Sequence, residues 1–181
     1  MKHFEDFKRT GDSFEERTGV PDAFSAAIGR INLNFSDLED RVALEIGKLF
    51  KIDESLAQII TCELSFKNKL HILSSLVRHF LRTRKFNTGH GDPLEVLSEL
   101  IGLCFKAEEL RNQIFHSSWS GAYLRDEKAK RRKVTAKARR GLNIHHEEID
   151  SGYLLDIADF IICVSVDVEE FFYDVGPESD A

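Results

Sequence analysis

From Phe24 to Leu49, apolar residues recur in steps of three and four: Phe24, Ile28, Ile31, Phe35, Leu38, Val42, Ile46, Leu49. That spacing lines one face of a helix and no face of a strand. It predicts a single helix of about seven turns, roughly 40 Å long at 1.5 Å per residue. Pro21 suits its first turn, where a missing N–H costs nothing. A helix this long exceeds what a compact core of this size needs, so one end is expected at an interface.

The same period recurs downstream. Asp53 is the expected cap of a short helix carrying Leu56, Ile59 and Ile60, and Ser65 caps the next, with Phe66, Leu70, Leu73, Val77 and Phe80 inward. The stretch Asn87-Thr88-Gly89-His90-Gly91-Asp92-Pro93 reads as a loop, and Pro93 opens a further helix. The last helix carries Leu154, Ile157, Ile161, Val164, Val168, Phe171 and Val175, capped by Asp150 or Ser151 and stopped by Gly176-Pro177. Only three Pro and 11 Gly interrupt the 181 residues, which also favours helices. The expected fold class is therefore all-α, an antiparallel helical bundle of about five helices with a basic loop or β-ribbon inserted before the last. Residues 1–20 are polar and read as an N-terminal arm, 21–175 as a single helical domain with the insertion over 121–142, and 176–181 as a tail.

A composition of 42% hydrophobic and 31% charged residues suits a cytoplasmic globular protein. No apolar run reaches 18 residues and the start lacks signal-peptide character, so no membrane is expected as a partner. Cys62, Cys104 and Cys163 lie within apolar helical patterns and form no CxxC pair, which predicts buried free thiols.

Net charge is −6, which alone argues against nucleic acid. Its distribution argues otherwise. Residues 125–140 hold nine cations (Arg125, Lys128, Lys130, Arg131, Arg132, Lys133, Lys137, Arg139, Arg140) against two acids, leaving a net −13 on the rest. A basic segment on an acidic body is an electrostatic footprint. Ala122-Tyr123-Leu124 and Val134-Thr135-Ala136 flank it as two short candidate strands. The segment reads as a phosphate-tracking arm with Tyr123 or Trp119 free to stack on a base. It reads alternatively as a solvated charged loop, or as a dock for an acidic partner protein.

The helix that Pro93 opens holds the chemistry. Its stripe runs Leu97, Leu100, Cys104, Ala107, then position 111, then Ile114. The fifth member should be aliphatic and is Arg111. A guanidinium in such a slot needs a partner, either a carboxylate or a phosphate. Asn112 and His116 are four residues apart and share a helix face, whereas Arg111 lies about 140° round from His116. Glu108 precedes Arg111 by three and Asn112 by four, so it can support either; Ser117 and Ser118 fit a helix end. A purely structural reading pairs Arg111 with Glu108 or another acid and lets His116 cap the helix C-terminus.

This pattern resembles the HEPN family (higher eukaryotes and prokaryotes nucleotide-binding): four or five helices, with Arg111-Asn112-x-x-x-His116 towards the end of the helix before the last. The family's signature is an Arg, four to six residues and a His, often with Asn directly after the Arg. The resemblance covers 21–175 as architecture and three residues as motif. It implies a homodimeric, metal-independent endoribonuclease, a toxin or phage-defence component with an antitoxin or regulatory protein as a possible partner. It equally implies the family's other kind of member, a non-catalytic module binding RNA, a nucleotide or a partner protein. The residue types suit the chemistry. RNA carries its own nucleophile, the 2′-hydroxyl. His116 can move a proton, since an unperturbed imidazole titrates near neutrality. Arg111 offers a planar fork to phosphate oxygens, and Asn112 can orient the ring or contact the phosphate. Glu108, Ser117 and Trp119 are the expected supporting residues. No cofactor is expected, and His145-His146-Glu147-Glu148 is not read as a metal site because adjacent histidines point apart and no third ligand has recognisable spacing.

Overall fold

A computed structural model describes residues 20–83, 92–120, 128–137 and 141–175. The expected strand at 122–124, the stop at 176–177, the tail, most of the arm and most of the 87–93 loop lie outside these residues, as do Tyr123, Arg125, Arg139 and Arg140. The described residues form five helices and one small sheet, a mainly α architecture: α1 (Asp22–Phe50), α2 (Glu54–Thr61), α3 (Phe66–Thr83), α4 (Pro93–Phe115), β1 (Ser118–Ser120), β2 (Lys128–Lys137), β3 (Gly141–Asp150) and α5 (Ser151–Val175). None of the helices is long and apolar enough to cross a membrane.

Four of the five helices start at a side-chain cap, and α1 starts behind Pro21 without one. Asp53 Oδ1 accepts the Leu56 N–H at 2.9 Å, Asp92 Oδ1 the Leu94 N–H at 2.9 Å and Asp150 Oδ1 the Tyr153 N–H at 2.8 Å. Ser65 Oγ accepts the Asn68 N–H at 3.3 Å. These bonds satisfy donors that the first turn leaves without intrahelical partners. α1 ends on Lys51 in the left-handed region (φ 55°), its N–H directed to the Gly47 and Lys48 carbonyls.

The α1 stripe is the spine of the core: Phe24, Ile31, Phe35, Leu38, Val42 and Ile46 are all at or below 5% exposure. Leu154, Ile157, Ile161, Val164 and Val168 of α5 are buried against it. Polar contacts fix how these two helices lie. Asn34 Nδ2 donates to the Ala158 carbonyl (2.8 Å), Ser165 Oγ to Asp37 Oδ2 (2.6 Å), and Arg41 pairs with Glu169 (2.8 Å). Residue numbers rise together along the contact, so α1 and α5 run parallel. α4 opposes both: Trp119 just past its end packs on Phe24, and Arg111 lies over Phe35. α3 in turn opposes α4, through Arg78 to Ser98 and His71 beside Phe105. The α1 stripe, expected to reach an interface at one end, is thus consumed within the core, with Ile28 and Leu49 partly buried against it.

α2 departs from expectation. It buries Ala57 and Thr61 and turns Leu56, Ile59 and Ile60 outward. The cause is close approach to α1: a Cβ on Gly47 would stand 2.6 Å from the Ala57 Cβ, so only small residues fit between the two helices. Of the cysteines only Cys104 is buried; Cys62 and Cys163 are exposed free thiols, contrary to the reading of all three as buried.

The insertion is a three-stranded antiparallel sheet in the order β1-β2-β3. β3 reaches through His145-His146-Glu147-Glu148 to Asp150, well beyond the two short strands expected. It sets Lys128 opposite Asp150, Lys130 opposite Glu148 and Arg131 opposite Glu147. Ala129 and Ile149, directly opposed and buried, attach the sheet's root to the core.

Gly47→Ala is expected to destabilise the fold by about 1–2 kcal/mol, because overpacking between two fixed helix backbones outweighs the gain in helix propensity. Ala57→Gly in the same chain should recover part of the loss. Urea unfolding of the two variants and the parent measures both.

Candidate functional site

Arg111 occupies the stripe position that periodicity reserves for an aliphatic residue. Its neighbours along the stripe, Ala107 and Ile114, are 0% and 1% exposed, while Arg111 itself is half-buried. The guanidinium carbon lies 5.3 Å from the Phe35 ring centroid and 4.7 Å from that of Phe115. Both distances fall within cation–π range. Phe35 is itself held edge-on by Phe66 at 4.9 Å. Nη1 donates to Asn112 Oδ1 at 3.0 Å, and Nε is buried without a hydrogen-bond partner. Among the described residues no carboxylate pairs with Arg111.

Glu108, expected to hold Arg111 or Asn112, makes no hydrogen bond or ion pair there among the described residues. The adjacent Glu109 is the engaged acid. Lys106 (2.8 Å) and Gln113 (3.0 Å) donate to it, and the Lys106 hydrogen bond, helped by the charges of Lys106 and Lys133, holds its carboxyl below the usual range.

His116 is the C-cap residue of α4 (φ −92°, ψ 22°), its backbone N–H bonded to the Asn112 carbonyl at 3.1 Å. The ring is exposed, one turn beyond the half-buried Asn112. Ser117 Oγ closes the helix end by donating to the Gln113 carbonyl at 2.6 Å. The site therefore combines a guanidinium clamped by two rings and an amide with an accessible imidazole at the mouth of the same helix. Phe35 and Phe115 are the positioning residues that sequence reasoning missed. Phe115 carried a signal: it follows Arg111 by four, the spacing of a stacked pair on one face.

Trp119 is not free to stack on a base. Its Nε1 donates to the Ile114 carbonyl (3.2 Å) and its ring packs 6.4 Å from Phe24, so it pins the sheet to the end of α4.

The basic segment divides between two faces. Lys128, Lys130 and Arg132 are exposed and alternate along the outer face of β2. Arg131 points the other way, is 7% exposed and is ion-paired with Glu147. Its Nε and Nη1 are buried without partners, so this guanidinium serves the sheet's interior and offers no exposed phosphate contact. Lys133 is half-buried on the same inner side, and the Lys137 side chain lies outside the description. His145 and His146 fall on opposite faces of β3, as adjacent strand residues must. Burial, reinforced by the Asp167 charge, pushes the Cys104 thiol up to about 12. That makes it a packing group with no nucleophilic role.

Two ring contacts do not offset the desolvation of a half-buried guanidinium with an orphaned N–H, which costs about 1–3 kcal/mol. Arg111→Leu is therefore expected to raise unfolding free energy by about 1 kcal/mol, since it completes the aliphatic stripe. Chemical denaturation measures this. A loss of stability would mean that Arg111 is a structural cation with a partner of its own.

Compared with protein-family models, with curated proteins and with solved structures, the chain matches none.

Proposed function

We propose that the chain is a HEPN-like endoribonuclease acting as a homodimer, with Arg111, Asn112 and His116 at the site. The observation that carries this reading is the half-buried Arg111, presented between Phe35 and Phe115 with no carboxylate among the described residues to neutralise it. A guanidinium so placed is pre-organised for an anion, and its fork suits phosphate oxygens. His116 takes the proton of the RNA 2′-hydroxyl or gives one to the leaving 5′-oxygen. A second copy supplies the complementary role. Arg111 stabilises the charge that develops on the phosphorane. Asn112, bonded to Arg111, holds the fork in plane. The biological setting implied by the resemblance is a toxin–antitoxin or phage-defence system.

The runner-up is a HEPN-like module that binds RNA, a nucleotide or a partner protein without cutting. The exposure of His116 and the absence of any recorded hydrogen bond to its ring among the described residues favour it. A general base is more often oriented by a second group.

His116→Ala is expected to lower cleavage by about a hundred- to ten-thousand-fold, the usual contribution of a general acid–base group. The fold should survive, since the ring is exposed. Arg111→Lys should be nearly as damaging, because the charge stays and the fork goes. Products should carry a 2′,3′-cyclic phosphate and a 5′-hydroxyl, and EDTA should leave the rate unchanged. A substrate with one 2′-deoxy nucleotide at the cut should resist. Cleavage of that substrate, or full activity in His116→Ala, would sink the mechanism. RNA binding without cleavage by the parent would establish the binding module.

The outer cations of β2 should add affinity without chemistry. Replacing Lys128, Lys130 and Arg132 by Ser should weaken RNA binding and flatten its salt dependence, as fewer counterions are released. Arg131→Ser should instead act through stability. Equal binding by the triple variant and the parent across a salt series would remove the ribbon from the RNA site.

A further inference from the structure

The outer face of α5 carries Leu155, Ile162, Val166 and Tyr173, exposed by 36, 37, 45 and 89%. Their steps of seven, four and seven put all four within about 20° of one line along the helix. Seven-residue spacing of apolar groups marks a seam that another element covers. Leu33, next in chain to the Asn34 that bonds α5, is 69% exposed as well.

Charge selects the occupant. α5 holds Asp156, Asp159, Asp167, Glu169, Glu170 and Asp174 and has no Lys or Arg. A second α5 laid on this seam would set carboxylates against carboxylates. A basic surface with apolar residues of its own fits instead, and the chain contains one. Val134 and Ile144 are directly opposed on β2 and β3 and are 47% and 41% exposed; Leu142 is 66% exposed, and Arg132 and Lys133 flank them. Every residue of β3 from 141 to 148 is exposed, so this strand is covered on neither face over that stretch. A two-stranded ribbon alone is at best marginally stable in water. Both surfaces stand open in one copy, so they do not cover each other within a chain. The part of the ribbon beyond its root, residues 132–137, spans roughly 20 Å, most of a seam of roughly 27 Å.

We propose that the β2–β3 ribbon of one copy lies along the outer face of α5 of a second copy, reciprocally, in a two-fold dimer. This gives the homodimer of the preceding reading its contact surface and uses none of the cleavage chemistry. Arg132, on the same face of β2 as Val134, then meets the partner's α5, and Lys128 and Lys130 nearer the ribbon's root are the outer cations left to RNA. Two variants test it at exposed positions: Val134→Ser with Ile144→Ser on the ribbon, and Ile162→Ser with Val166→Ser on the seam. Sedimentation equilibrium of the parent should give about twice the 20.7 kDa chain mass, with association weakening as salt rises. Each variant should dimerise at least about tenfold more weakly, as loss of central contacts does, with an unchanged far-UV circular dichroism spectrum. Mixing the two variants should recover part of the association, because the mixed pair keeps one intact ribbon on one intact seam. A monomeric parent, a variant that dimerises like the parent, or a mixture no better than its components would overturn the proposal. RNA cleavage is read separately, so a stable dimer that cuts nothing would remove the nuclease and leave this surface standing.

Discussion

The pairing of α1 with α5 is the constraint from which the rest follows. Their facing stripes supply most of the large buried side chains, and three polar contacts, at Asn34, Asp37 and Arg41, fix register and direction. Apolar stripes alone tolerate sliding by a turn. Side-chain hydrogen bonds to specific partners do not, because a slip would strand buried polar atoms. Since α5 must run parallel to α1 and opposite to α4, the chain between α4 and α5 has to be tied down at both ends. The sheet does this. Trp119 anchors its first strand to the Ile114 carbonyl, and Ala129 and Ile149 close its root on the core. The position of His116, between the end of α4 and that anchor, is a by-product of the same geometry.

Much of this was legible because one period dominated each helix. The α1, α3 and α5 stripes and the caps at Asp53, Ser65 and Asp150 follow from local rules that tertiary contacts reinforced. Arg111 was legible for the opposite reason, as a violation in an otherwise regular stripe. What failed were features set by contacts between distant segments. α2 has an apolar face that points outward, because Gly47 and Ala57 let the two backbones meet and leave no room for Leu56 or Ile59. β3 was invisible as a strand because its apolar residues switch faces, Leu142 and Ile144 on one and Ile149 on the other, with polar residues on both. Its pairing is specified by the partner: acids at 147, 148 and 150 against cations at 131, 130 and 128. The second stripe of α5 was hidden beneath the stronger buried one, since two faces of one helix were both apolar.

The charge run illustrates how a linear pattern misleads. Counted along the chain it is a block of cations; folded, it is a strand whose alternate members face opposite ways and whose neighbour is acidic. Opposed charges across an antiparallel pair contribute about 0.2–1 kcal/mol each, so part of the basic potential is spent on holding the ribbon together. Arg131 goes furthest. It is buried against Glu147 with two guanidinium nitrogens unpartnered, and a buried pair of this kind is worth less than it seems once both desolvation terms are counted. Among the described residues of the segment, the exposed cations are Lys128, Lys130 and Arg132, and the first two stand opposite Asp150 and Glu148.

That reduction shifts weight onto Arg111. An exposed cation on a strand attracts phosphate in general, through a potential that salt screens within about 8–10 Å. A cation set between two rings, with its plane fixed by an amide, loses little further entropy when an anion arrives and is screened far less. Under the proposed function, affinity and placement would divide between two parts of the molecule: the ribbon would gather the anion, and the end of α4 would position it. The division also explains why an unfavourable residue can persist in a core stripe. A leucine at position 111 would suit the fold, and under the proposed function an anionic ligand at the mouth of the helix would turn the arginine's cost into a gain.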